Sequence, residues 1–156
     1  LYNTAYGPDV EVYMTMAVKT GADGFGWNFP FRWTNATNTG YYVELTRLAG
    51  TDSIGVWEGP AFNQLGATIS QERSNADAFG ASMIGSTIDW QYKAYGGSWT
   101  ARGTRTDSTV TGSGGVGFYM SDTTLRLDDY GAGTVVASAT SRPIFRARMP
   151  AAILAR

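Results

Sequence analysis

Gly85-Ser86-Thr87-Ile88-Asp89-Trp90-Gln91-Tyr92-Lys93 carries the pattern from which the architecture follows. Beyond its Gly-Ser turn, Ile88, Trp90 and Tyr92 alternate with Asp89, Gln91 and Lys93. That period of two belongs to an extended strand with one face on a core. Gly96-Gly97 then turns the chain toward another strand over Trp99 to Thr106.

The same period runs outward in both directions. In Val10 to Val18 every even position is apolar, which predicts a strand, and Lys19 to Gly24 breaks it as a turn. Phe25, Trp27, Phe29, Phe31 and Trp33 occupy the odd positions of a second strand, in which Pro30, unable to donate to a ladder, implies an edge or a bulge. Asn35 to Gly40 is a loop, and Tyr41–Leu48, Ser53–Glu58 and Leu65–Gln71 read as three more strands. Gln71 to Ala81 is ambiguous between a short helical turn and a loop. Gly112-Ser113-Gly114-Gly115 reads as a hairpin turn whose glycines supply positive φ, followed by a strand with Val116, Phe118 and Met120 inward. Leu125 to Tyr130 is a further strand, and Val135 to Ala139 reads as the last. Many short alternating strands between glycine-rich turns make an all-β antiparallel β-sandwich, with Val12, Met14, Met16, Leu45, Ile88, Val116, Phe118 and Leu127 expected in its core.

Composition fits one domain. The chain has 156 residues, 43% of them hydrophobic, and no apolar run of the roughly 20 residues a membrane helix needs. Its absent charged-then-apolar leader reads as a processed chain or an excised domain. Without cysteine there is no disulfide or thiolate metal site, and without histidine the commonest general base and zinc ligand are missing. Charge divides by position: Arg142, Arg146, Arg148 and Arg156 follow the last acid, Asp129, so residues 134–156 carry +4 and the body −5 of the net −1.

The order Phe31-Arg32-Trp33, Tyr41 to Leu45, Gly85 to Trp90, Asp107-Ser108-Thr109, Gly114 to Tyr119 and Leu127-Asp128-Asp129-Tyr130 resembles the laminin-G-like branch of the concanavalin A-like lectin and glucanase jelly rolls, from about Val10 to Gly133. The resemblance implies a jelly roll over 10–133, an N-terminal arm over 1–9 and a basic C-terminal arm or linker over 134–156. It also implies a choice of roles, because such folds bind glycans, join virion or cell-surface assemblies, or cut polysaccharides.

Polysaccharide cleavage needs two carboxylates facing one another, about 5–5.5 Å apart when configuration is retained. On one strand that means acids at alternate positions. Glu44, Glu58 and Glu72 have no acid two residues away, Glu11 has only Asp9 in the turn before its strand, and Asp128-Asp129 are adjacent, so the chain reads as a non-enzyme. Sugar binding is better supplied. Flat aromatic faces can stack on sugar rings while amides, guanidinium and carboxylate groups bond the hydroxyls. The candidates are Trp33, Tyr42, Trp57, Trp90, Tyr92 and Trp99, with Arg32, Asn35 and Glu44 as polar partners. The resemblance also raises a structural calcium, for which Asp107, Asp122 and Asp128 are weak candidates and which no other cofactor accompanies; Asp107 and Asp122 equally open ordinary turns.

The acidic body is no partner for nucleic acid, and membrane insertion is not expected. The last stretch mixes its arginines with Ile144, Phe145, Met149, Ile153 and Leu154, which suits docking to other subunits of an assembly and homo-oligomers formed through this arm. The reading is thus a non-catalytic, carbohydrate-binding surface module of a virion (a phage tail or capsid decoration) or of an extracellular protein. A purely structural assembly protein is the alternative, and a glycoside hydrolase a distant third.

Overall fold

The computed structural model describes residues 5–18, 26–46, 51–120 and 126–136. Among the described residues eleven strands succeed one another: β1 (Val10–Val18), β2 (Gly26–Thr34), β3 (Thr39–Thr46), β4 (Thr51–Glu58), β5 (Ala61–Gln64), β6 (Ile69–Ser70), β7 (Ala78–Ile84), β8 (Thr87–Lys93), β9 (Thr100–Thr106), β10 (Tyr119–Met120) and β11 (Arg126–Thr134). They form two antiparallel sheets, one of order β11-β1-β7-β8-β9 and one of order β10-β2-β3-β4-β5, with β6 also paired to β4. No helix occurs among the described residues. The molecule is the antiparallel jelly-roll sandwich that the alternation requires.

The inward residues meet between the sheets. Val12, Met14 and Met16 of β1, Phe79, Ala81 and Met83 of β7, and Ile88 and Trp90 of β8 face Trp27, Phe29, Phe31, Tyr41, Val43, Leu45, Ile54 and Val56 of the other sheet. The Trp27 and Phe79 rings touch edge to face across the gap at 5.7 Å, an orientation that places a positive ring edge on a negative face. Among them sits one ion pair: Arg73, on the segment before β7, reaches Asp52 of β4, both essentially excluded from water. Its guanidinium also lies 5.2 Å from the Trp27 ring and 5.6 Å from that of Phe79. A buried charge pair of this kind is tolerated only when each partner supplies what water no longer can.

Several expectations are corrected. Gln71 to Ala81 is neither a helical turn nor wholly a loop, since β7 begins at Ala78 and is central in its sheet. Alternation does not reveal it because Gly80 and Ser82, on its outer side, are as buried as Phe79, Ala81 and Met83 on the inner. Of Leu65–Gln71 only the two residues of β6 are strand, and β5 lies before that stretch. The Gly112–Gly117 segment is not a hairpin turn. It crosses between the sheets, and Gly114 and Gly115 bridge to Tyr6 and Trp33. Positive φ among the described glycines occurs at Gly59, Gly66, Gly85 and Gly96, so glycine at 114 serves close approach instead: a Cβ there would lie 2.4 Å from the Arg32 carbonyl carbon. Phe118, just before β10 with its ring against Tyr130, and Met120, in that two-residue edge strand, both expected inside, are 38% and 36% exposed, and Leu127 is only partly buried.

The described part of the first nine residues is bonded to the sandwich. Tyr6 exchanges backbone hydrogen bonds with Gly114, and the Gly7 N–H donates to Thr134 Oγ1 at 3.0 Å. Val135 N–H donates to the Asp9 carbonyl at 2.9 Å. Residues 137–156, with Arg142, Ile144, Phe145, Arg146, Arg148, Met149, Ile153, Leu154 and Arg156, lie outside the described residues, as do Phe25 and Asp122.

Candidate functional site

The outer face of the β10-β2-β3-β4-β5 sheet is set by register. Tyr119 pairs with Asn28, Asn28 with Glu44, and Glu44 with Ser53, so these four stand in one row across four strands. The next outward row runs Pro30, Tyr42, Gly55, Gln64, and the one after it joins Gly40, Trp57 and Phe62. Two positions in the middle strands are glycine, and each is covered by a ring. A Cβ at Gly55 would lie 2.4 Å from two carbons of Phe62, and one at Gly40 2.6 Å from the Trp33 indole. Absence of a side chain therefore lets aromatic rings lie flat on the sheet.

The result is a depression of about 270 Å³ lined by Asn28, Tyr42, Glu44, Trp57, Phe62 and Tyr119. Its rings form a continuous series, with Trp33 to Tyr42 at 4.9 Å, Tyr42 to Trp57 at 6.1 Å and Trp57 to Phe62 at 5.8 Å. The Trp57 indole N–H donates to the Gly59 carbonyl, which accepts from Asn38 Nδ2 as well, so the ring's edge is anchored. Glu44 Oε2 accepts from Ser53 Oγ at 3.0 Å, which orients the carboxylate. Burial, with the neighbouring Tyr119 and Glu44, pushes the Tyr42 phenol above the ordinary tyrosine value, so at neutral pH it remains an uncharged donor.

Of the residues anticipated from sequence, Tyr42, Trp57 and Glu44 line this depression, and Trp33 supports it from behind Tyr42 while itself largely covered. A backbone irregularity brings Trp33 there. Register shifts between Phe31 and Thr34, and Arg32 adopts a left-handed φ of 50°, so Trp33 leaves the inward face that strict alternation assigns it. Arg32 is turned inward by the same bulge and is 2% exposed. Its Nε donates to the Pro8 carbonyl (2.5 Å), one terminal nitrogen to Val110 (2.8 Å) and the other to Gly85 (2.6 Å), with Asp9 at 3.7 Å. Arg32 is a clamp on three connections and has no surface to offer a sugar.

The others lie elsewhere. Trp90 is fully buried, carried inward by the alternation that also buries Ile88. Tyr92, on the other sheet, donates its hydroxyl to Asp77 at 2.7 Å and lies under the Arg102 guanidinium at 5.3 Å. Trp99 stands on the connection from β8 to β9, and Asn35 in the exposed turn after β2. Sequence reasoning missed Asn28, Phe62 and Tyr119. Asn28 sits between Trp27 and Phe29, so its outward direction was readable; Phe62 and Tyr119 depend on which strand lies next to which.

Of the acids named for calcium, Asp122 lies outside the described residues, and Asp107 and Asp128 have separate surroundings. Asp107 accepts from the Tyr41 hydroxyl at 2.6 Å and from Thr109 N–H at 2.8 Å, whereas Asp128 lies on β11 paired with Thr15. Among the described residues no three carboxylates converge, and a six-to-eight-oxygen shell is not built from one at a time. Nor does the depression hold a catalytic pair, since Glu44 is the one carboxylate among its lining residues.

No protein-family model matches the chain, and no curated protein matches it. Among solved structures the fold is similar to the carbohydrate binding module CBM66 from Bacillus subtilis, with 13% identity over 85% of this chain and 78% of that one, at a TM-score of 0.69. It is also similar to part of the GH43 protein BlXynB from Bacillus licheniformis, with 16% identity, a TM-score of 0.52, and coverage of 80% of this chain but only 26% of the other. A tail fiber protein from E. coli phage G7C overlaps 88% of this chain and 16% of its own at 18% identity, with a TM-score of 0.42 that supports no conclusion. At these identities the shared property is the fold.

Proposed function

We propose that this chain is a non-catalytic carbohydrate-binding module, and that the aromatic depression on the outer face of the β10-β2-β3-β4-β5 sheet is where it holds a sugar. The observation that carries this reading is the floor of the depression. Phe62 lies on Gly55, Trp57 is edge-anchored to Gly59, and Tyr42 stands between, beside Asn28 and Glu44. Pyranose and furanose rings present C–H faces to such rings and hydroxyls to such amide and carboxylate groups, and both contacts are preformed here. The likeness to a carbohydrate binding module supports the reading at the level of fold.

With a single carboxylate in reach, binding without turnover is the expected chemistry. Placement on a virion or in the extracellular space, and homo-oligomers joined through residues 134–156, belong to the same proposal on the strength of the basic, apolar composition of that stretch. The deciding experiment is a glycan array with full-length protein, followed by calorimetry on the hits and an assay for released reducing ends. Trp57→Ala is expected to weaken binding at least tenfold, the effect of losing a central aromatic anchor. Binding that is indifferent to Trp57, or reducing ends released by the wild type and not by Glu44→Gln, overturns the reading.

A further inference from the structure

The charge of the depression is one-sided. At the outward positions of β2 to β5 and β10 stand Asn28, Pro30, Trp33, Gly40, Tyr42, Glu44, Ser53, Gly55, Trp57, Phe62, Gln64 and Tyr119, with no lysine or arginine among them. The aromatic faces of Tyr42, Trp57, Phe62 and Tyr119 carry negative quadrupole potential, and the one acidic side chain lining the depression with them is Glu44. All these sources have the same sign. An anionic sugar, whether uronate, sulfated or sialylated, would bring its charge against them with no lysine or arginine at the described outward positions to meet it.

Resting on the glycan-binding reading above, we infer that the depression selects sugars bearing a free ammonium group, so that its ligand class is glycans containing unacetylated amino sugars. The ring stacks on Trp57 and Tyr42 while the ammonium is directed at Glu44, which Ser53 already holds in place. A charge-assisted hydrogen bond to a carboxylate, in a setting of aromatic faces, is stronger than one from a neutral hydroxyl and adds a cation–π contribution. N-acetylation removes the charge and keeps the ring, which separates the two contributions chemically.

The test compares glucosamine oligomers with the same oligomers fully N-acetylated and with galacturonate oligomers, by calorimetry on the full chain at low and high salt. Wild type is expected to bind the free amine form about tenfold tighter than the acetylated form, with the uronate weakest. Glu44→Gln is expected to erase that preference, and its thermal unfolding midpoint reports that the fold is kept. Equal affinity for amine and acetylated oligomers in wild type overturns this inference and leaves the glycan reading standing, as does a preference that survives Glu44→Gln. Failure of the wild type to bind these or any glycan on an array overturns both. The wild-type comparison stands by itself should the variant unfold.

Discussion

Replacing Arg32 with methionine separates a clamp from a sugar contact. The side chain is 2% exposed and its guanidinium donates to three carbonyls, those of Pro8, Val110 and Gly85, which come from the N-terminal segment, the segment after β9 and the turn between β7 and β8. Hydrogen bonds from a charged donor contribute about 1.5–3 kcal/mol each, so the gross figure is roughly 4–9 kcal/mol, less whatever is shared because all three hang from one side chain. Arg32 also holds a left-handed backbone, φ 50°, a conformation that costs about 1 kcal/mol. Methionine keeps most of the volume and removes the donor from three part-buried hydrogen bonds, for an expected net loss of about 4 kcal/mol. For a domain of this size, 1 kcal/mol moves the midpoint by roughly 2–4 °C, so thermal unfolding of Arg32→Met should occur about 8–16 °C lower. Arg32→Lys should fall between, since an ammonium cannot span the three acceptors with the guanidinium's fork. Urea titration supplies the free energy and calorimetry at low temperature the glycan affinity of the remaining folded protein. A loss under about 1 kcal/mol, or an unchanged midpoint with abolished glycan binding, would falsify the clamp and return Arg32 to the binding face.

Breaking the buried pair singly, by Arg73→Met or Asp52→Leu, should cost about 3–5 kcal/mol, while the double variant recovers most of it; singles whose costs simply add in urea denaturation would show that the two charges do not depend on each other. Gly55→Ala places a methyl 2.4 Å from the Phe62 ring and should cost about 1–3 kcal/mol while reducing glycan affinity; unchanged affinity would remove Phe62 from the site. Burial, then the hydrogen bond to Asp107, raises the Tyr41 phenol from 10.0 to about 12, and Tyr92, bonded to Asp77, is likewise raised to about 12. Because the folded state retains protons that the unfolded chain gives up, this stability is fully present below pH 10 and is lost as pH rises through about 12. Tyr41→Phe should therefore lose less stability than wild type over that interval, and identical alkaline limbs in pH-dependent unfolding would contradict the assignment.

Much of the fold was readable because alternation is a local property. Val10 to Val18 and Thr87 to Tyr95 each declare their inward face within a few residues; β1 matches the first and β8 the second, ending two residues sooner at Lys93. Where both faces are covered, as in β7, the pattern vanishes and local reading fails. Where a bulge intervenes, parity reverses, and Arg32 and Trp33 exchange the faces that counting assigns them.

The amino-acid order alone therefore determined the class of architecture, the absence of histidine and cysteine chemistry, and the aromatic supply from which a sugar platform can be made. Which aromatics form that platform was decided in three dimensions. Trp57 and Phe62 meet because β4 and β5 pair in one register, Tyr119 reaches Asn28 because the chain crosses between sheets before β10, and Trp90 is withdrawn because its sheet packs that side against the other. Strand neighbours are chosen by the packing of residues far apart in the chain, and a local period of two carries a residue's direction but not the identity of what lies beside it.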